Sequence, residues 1–112
     1  MSFKIITTAP FLKDLKRLSK RYPNFKKDVQ DLQANLLNNP MQGVEVAPNI
    51  RKIRMSIRAK GRGKSGGARV ITFNALISEI EGTVYLITIY DKSDASNVKM
   101  NVIMNMIREL GL

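Results

Sequence analysis

The chain has 112 residues, 44% apolar and 25% charged, with no cysteine, no histidine and a formal net charge of +10 at pH 7. These figures fit one globular domain spanning residues 1–112, and they exclude disulfides, thiolate metal sites and histidine as metal ligand or general base. No apolar run reaches the roughly 18 residues of a membrane span and the N-terminus lacks a signal-peptide pattern, so a cytoplasmic protein without metal, cofactor or membrane partner is expected.

In chain order, residues 3–8 (FKIITT) are short and β-branched and predict a first strand. Pro10 suits the opening turn of a helix in which Phe11, Leu15 and Leu18 recur at helical spacing. Tyr22-Pro23-Asn24 stops that helix and offers Asn24 as a cap for a second one, where Phe25, Val29, Leu32 and Leu36 keep the period until Asn38-Asn39-Pro40. Residues 41–49 read as a connecting loop containing Gly43 and Pro48.

Residues 50–58 (IRKIRMSIR) alternate: Ile53, Met55 and Ile57 on one face, Lys52, Arg54, Ser56 and Arg58 on the other. That is a half-buried strand with a cationic outer face. A glycine-rich basic loop, residues 59–67 (AKGRGKSGG), follows. Residues 68–77 and 83–90 predict two strands joined through Glu81-Gly82, and residues 97–110 an amphipathic helix stopped by Gly111. The order β-α-α-β-β-β-α implies an α+β fold: an N-terminal helical hairpin, a C-terminal helix, and an antiparallel sheet with helices on one face.

The positive charge is unevenly placed. Between Glu45 and Glu79 the sequence has no acid, yet it holds Arg51, Lys52, Arg54, Arg58, Lys60, Arg62, Lys64 and Arg69. A surface that merely confers solubility intersperses the two signs. A second group, Lys13, Lys16, Arg17, Lys20, Arg21, Lys26 and Lys27, is mixed with Asp14 and Asp28 and reads mostly as solvated helix faces. The concentrated stretch points to phosphates, and RNA is the expected ligand.

Two nucleotide-binding motifs match the glycine loop only literally. Gly61-x-Gly63-x-x-Gly66 fits a dinucleotide fingerprint, but a β-branched strand follows it where a helix is required. Gly63-Lys64-Ser65 looks like the end of a P-loop, but the first glycine of that motif would fall at Arg58. What remains is a loop whose backbone amides and lysines can approach phosphate oxygens closely.

Three runs carry a resemblance. Ile50-Arg51-Lys52-Ile53-Arg54, residues 60–72 (KGRGKSGGARVIT) and residues 85–93 (YLITIYDKS) closely resemble the RelE/ParE superfamily of toxins, and most of all its RelE/HigB branch. The resemblance implies the RelE fold and a bacterial type II toxin–antitoxin system, in which the toxin enters the ribosomal A site and cleaves mRNA. It further implies a neighbouring antitoxin, acidic or DNA-binding, that wraps the toxin. By the same resemblance the catalytic positions are Arg69, as phosphate stabiliser, with Lys52, Arg54 and Lys92. Arg58, Lys60, Arg62, Lys64, Tyr90 and Lys99 would grip RNA, Tyr90 by stacking on a base. The chain departs from RelE in having Ser93 where RelE has a second arginine, and Lys99 where RelE has a tyrosine.

The chemistry suits a site without histidine. Cleavage beside a 2′-hydroxyl needs deprotonation of that hydroxyl, in-line attack, stabilisation of the phosphorane and neutralisation of the 5′-oxygen, which clustered lysines and arginines can supply. Two other functions share the superfamily resemblance or the charge: a ParE-like gyrase inhibitor and a non-catalytic RNA-binding domain. Three cationic positions on adjacent strands argue against the first.

Overall fold

The structure, a computed structural model, describes residues 2–78 and 80–112. Strand β1 (Ser2–Thr7) leads into helices α1 (Ala9–Arg21) and α2 (Phe25–Asn38). Strands β2 (Val44–Ala47), β3 (Ile50–Met55), β4 (Ala68–Ser78) and β5 (Glu81–Asp91) follow, and α3 (Met100–Arg108) closes the order. A single 3₁₀ turn, Arg58–Lys60, links β3 to the glycine loop.

Thr8 caps α1: its hydroxyl accepts from the Phe11 amide and donates to the carbonyls of Leu86 and Ile87, tying the helix start to β5. Pro10 fills an opening position where no amide donor is needed. Asn24 precedes α2 as expected, but its side chain makes no capping bond; it contributes a left-handed backbone, φ 63°, that asparagine tolerates.

The sheet has the order β1-β5-β4-β3-β2. Neighbours are antiparallel except β1 and β5, which run parallel, so the sheet is mixed where an antiparallel one was expected. The β1-to-β5 connection passes through the helical hairpin, long enough to bring two strands into parallel register.

Three further expectations are corrected. Residues 44–47 form an edge strand where a loop was expected: Val44 and Val46 alternate with Glu45, and Pro48 with Asn49 (φ 64°) turns the chain into β3. Glu81 and Gly82 belong to β5 and are not the link between strands. Gly82 is needed there because a Cβ would lie 2.7 Å from the Ala75 carbonyl oxygen. Finally, the helices cover both faces of the sheet. Helices α1 and α2 bury Phe11, Leu18, Phe25 and Leu36 against Ile53, Met55, Val70, Val84 and Leu86. Helix α3 buries Ile103 with Ile50, Ile71, Ile87 and Tyr90 in a second cluster. Val70 and Ile71 are adjacent in sequence and serve opposite cores, as the pleat of a strand dictates.

Candidate nucleic-acid interface

On β3 the alternation read from the sequence holds. Ile53 and Met55 are buried under the helical hairpin, so Lys52 and Arg54 project from the other face. Strand β4 pairs with β3 so that Arg54 lies directly opposite Arg69 and Lys52 opposite Ile71. Directly opposed residues share a face with Cα atoms about 4.5–5.5 Å apart. Two arginines therefore stand side by side on adjacent strands, an arrangement that like-charge repulsion disfavours.

Beside this pair lies a cleft of about 520 Å³. Lys52, Arg54, Lys64 and Arg69 line it, with Gln42, Gly43, Val44 and Val46 of the β2 hairpin on the far wall and no acid among its lining residues. Gly43 adopts φ 91° and passes so close to β3 that a Cβ would sit 2.6 Å from the Lys52 carbonyl oxygen. The hairpin that closes the cleft thus depends on glycine at this position.

Arg69 is 5% exposed and its guanidinium faces carbonyls, not a carboxylate. It donates to the Lys64 oxygen at 2.9 Å, the Ser65 oxygen at 3.1 Å and the Ala68 oxygen at 3.1 Å. The side chain both charges the cleft and pins the glycine loop. Gly67, where the loop rejoins the sheet, has no room for a side chain: a Cβ would lie 2.1 Å from the Met55 oxygen.

Toward β5 the loop borders a shallower hollow of about 240 Å³, lined by Arg62, Ser65, Gly66, Lys92 and Ser93. The expected catalytic set is thereby divided. Lys52, Arg54 and Arg69 share one cleft with Lys64, whereas Lys92 lies across the loop with Arg62. Lys99 is exposed immediately before α3 and lines neither depression.

Of the remaining expected RNA contacts, Arg58 and Lys60 have protein partners and Tyr90 is buried. Arg58 pairs with Asp31 and with buried Asp28 on α2, at 3.5 Å for Asp28. Lys60 donates to Asp91 at 2.9 Å and to the Ser93 hydroxyl at 2.6 Å. Tyr90 is 6% exposed in the α3 core, where its ring meets side chains and offers no face to a base; its hydroxyl has no partner among the described residues. Lys52, Arg54, Arg62, Lys64, Arg69, Lys92 and Lys99 form no ion pair among the described residues.

Asp91 was not singled out from the sequence and is the most connected acid of the region. Fully buried at the end of β5, it accepts from the Tyr22 hydroxyl, Arg21, Lys60 and the Ser93 amide. Burial alone would raise its pKa; the hydrogen bonds from Tyr22, Lys60 and Ser93 outweigh that and hold the carboxyl well below the usual carboxylate range. The same bond to Asp91, with burial, pushes the Tyr22 phenol up. The legible signal was position: an acid closing an apolar strand, followed by Lys92 and Ser93.

Over its full length the chain superposes on a double arginine-to-alanine mutant of E. coli toxin RelE in the free state, with a TM-score of 0.60, 12% sequence identity and complete coverage of both chains. A crystal structure of the isolated E. coli RelE toxin matches with a TM-score of 0.52 and 12% identity, covering 97% of this chain and 99% of that one. No protein-family model matches the sequence. The chain has the RelE fold, as the sequence resemblance implied: a five-stranded, mostly antiparallel sheet behind an N-terminal helical hairpin.

Proposed function

We propose that this protein is the toxin of a type II toxin–antitoxin system, a ribosome-dependent endoribonuclease that cuts mRNA and stops translation. The observation that carries this reading is the Arg54–Arg69 pair facing a cleft with four cations and no acid. Arg69 also pins the glycine loop, but Arg54 has no ion-pair partner among the described residues, and two opposed like charges left without a carboxylate favour an anionic ligand.

Lys52, Arg54 and Lys64 are the groups that reach the scissile phosphate. Arg54 offers a planar fork for two phosphate oxygens; one lysine, in its neutral form, takes the 2′-hydroxyl proton as the 2′-oxygen bonds to phosphorus, and the other, as ammonium, gives a proton to the 5′-oxygen as its bond to phosphorus breaks. Arg69, buried behind them, adds positive charge where the phosphorane develops. Arg62 and Lys92, across the loop, hold a neighbouring phosphate of the same strand. Alignment of the 2′-hydroxyl for in-line attack is left to the ribosome, since positioning can supply about 7–11 kcal/mol of the barrier. The partner implied is an antitoxin whose acidic segment neutralises the cleft.

The test is induction in bacteria followed by mapping of mRNA 5′ ends. Cuts phased with codons and confined to translated messages support the reading. Growth arrest with intact messages overturns it and brings forward gyrase inhibition or plain RNA binding.

A further inference from the structure

The glycine loop carries Arg62 and Lys64, and little in its own backbone holds it. Gly61 and Gly63 sit at φ 66° and 64° in open space; the Lys60 and Gly61 amides bond back only into the 3₁₀ turn, to the Ile57 and Arg58 oxygens, and among the described residues beyond Gly61 only the Gly67 amide reaches back, to the Lys64 oxygen at 3.3 Å. Such a segment would sample many positions unless fastened from outside. Three fastenings are present. Arg69 grips the Lys64 and Ser65 carbonyls, and the Lys92 amide donates to the Gly67 oxygen at 3.1 Å. The third is at the loop's start, where the Lys60 ammonium reaches the Asp91 carboxylate, itself held by Tyr22 and Arg21 from the end of α1.

We propose that Asp91, through Lys60, is a positioning residue that anchors the glycine loop and sets where Arg62 and Lys64 stand. The importance of that placement for RNA rests on the function proposed above; the anchoring itself does not. Several features set this contact apart from an ordinary surface ion pair. Asp91 is fully buried, the Lys60 side chain is only 12% exposed, and Ser93 closes the group by donating its amide to Asp91 while its hydroxyl oxygen accepts from Lys60. A loop fixed before RNA arrives loses less freedom on binding, so its cations act as a preformed set. Lys60 thereby contributes to RNA binding without touching RNA: its charge is already matched by Asp91.

The experiment uses the whole protein and two variants, Lys60→Met and Asp91→Asn, with Lys60→Arg as the conservative control. Amide exchange across residues 61–66 and tryptic nicking after Arg62 and Lys64 report the loop directly. Both should rise by about tenfold or more in Lys60→Met, with exchange in β3 and β4 unchanged, and Lys60→Arg should restore most of the protection. On programmed ribosomes Lys60→Met should weaken binding while the salt dependence of binding stays that of the wild type, because no phosphate contact is removed. Loop exchange and nicking at wild-type rates in Lys60→Met would overturn the anchor. A salt slope reduced by one contact would overturn it too, by making Lys60 a direct phosphate ligand. Should Asp91→Asn fail to fold, Lys60→Met still decides. Should the wild type prove not to cleave RNA, the exchange and nicking results stand by themselves and only the proposed function falls.

Discussion

Arg54 and Arg58 lie four residues apart in the same acid-free stretch, on what the sequence reads as one face of one strand. They meet opposite surroundings. Arg54 stays on β3, faces Arg69 across the ladder, opens onto the cleft and forms no ion pair among the described residues, although a second hollow of about 360 Å³ that it lines with Lys64 also holds Asp28 and Asp31. Arg58 falls beyond the strand end at Met55, in a 3₁₀ turn that swings it toward α2, where Asp28 and Asp31 neutralise it. Lys64 and Lys60 repeat the contrast on the loop: one lines the cleft, the other is locked to Asp91. An acid-free run in sequence is therefore not an acid-free surface. The residues that remain unpaired, not the total charge, mark where an anion can sit.

The comparison can be broken most severely at Asp91. Replacing it by alanine leaves Lys60, Arg21 and the Tyr22 hydroxyl without their buried acceptor, and truncating one side of a buried pair costs about 3–5 kcal/mol. Chemical denaturation of Asp91→Ala should show a loss of that order; a loss under about 1 kcal/mol would mean the network is slack.

The next effect falls on activity. Arg54→Ala should reduce single-turnover cleavage by about 10²–10³-fold with stability nearly unchanged, because the side chain is exposed and forms no ion pair among the described residues. Arg58→Ala should leave the cleavage rate of bound complexes unaltered. Equal losses in the two variants would abolish the distinction drawn between them. Arg69→Ala should lower cleavage as well, but with faster exchange in the glycine loop, since the guanidinium holds Lys64 and Ser65.

Salt sharpens the same contrast. For single-stranded RNA, removing one phosphate contact should lower the log–log slope of affinity against salt by about 0.7. Lys52→Ala and Lys64→Ala should each show this decrement and Arg58→Ala none.

Acid titration probes the Asp91 network. Its folded carboxyl ionises below the unfolded value, so the folded state binds that proton less readily than the unfolded chain. Its contribution is complete above the unfolded pKa of about 4 and is lost as pH falls toward the folded pKa. Asp91→Asn should flatten this acid limb of the stability curve relative to the wild type. The smallest effect is expected at Tyr90→Phe. The buried hydroxyl has no partner among the described residues, so its removal should be neutral or slightly stabilising and should leave RNA affinity unchanged. A marked loss of affinity would show instead that the hydroxyl bonds RNA directly.

The sequence by itself determined the elements whose pattern is local and periodic. The helical hairpin is legible from Phe11, Leu18, Phe25 and Leu36, the cationic face of β3 from Ile53 and Met55, and the loop from its glycines. It also carried the resemblance that anticipated the RelE fold. It did not reveal β2, whose four residues are bracketed by Gly43 and Pro48, nor the second core. That core had left a trace, since β5 reads as a nearly unbroken apolar run, the mark of a strand covered on both sides. Which cations are free was decided by tertiary structure alone. Asp28 comes from α2 and Asp91 from the end of β5, about 30 positions from their partners Arg58 and Lys60, and only the packing of helix and strand ends around the glycine loop brings them together. Charge is a property of residues, whereas its neutralisation depends on distances of a few ångströms between segments remote in the chain, and no local pattern encodes those distances.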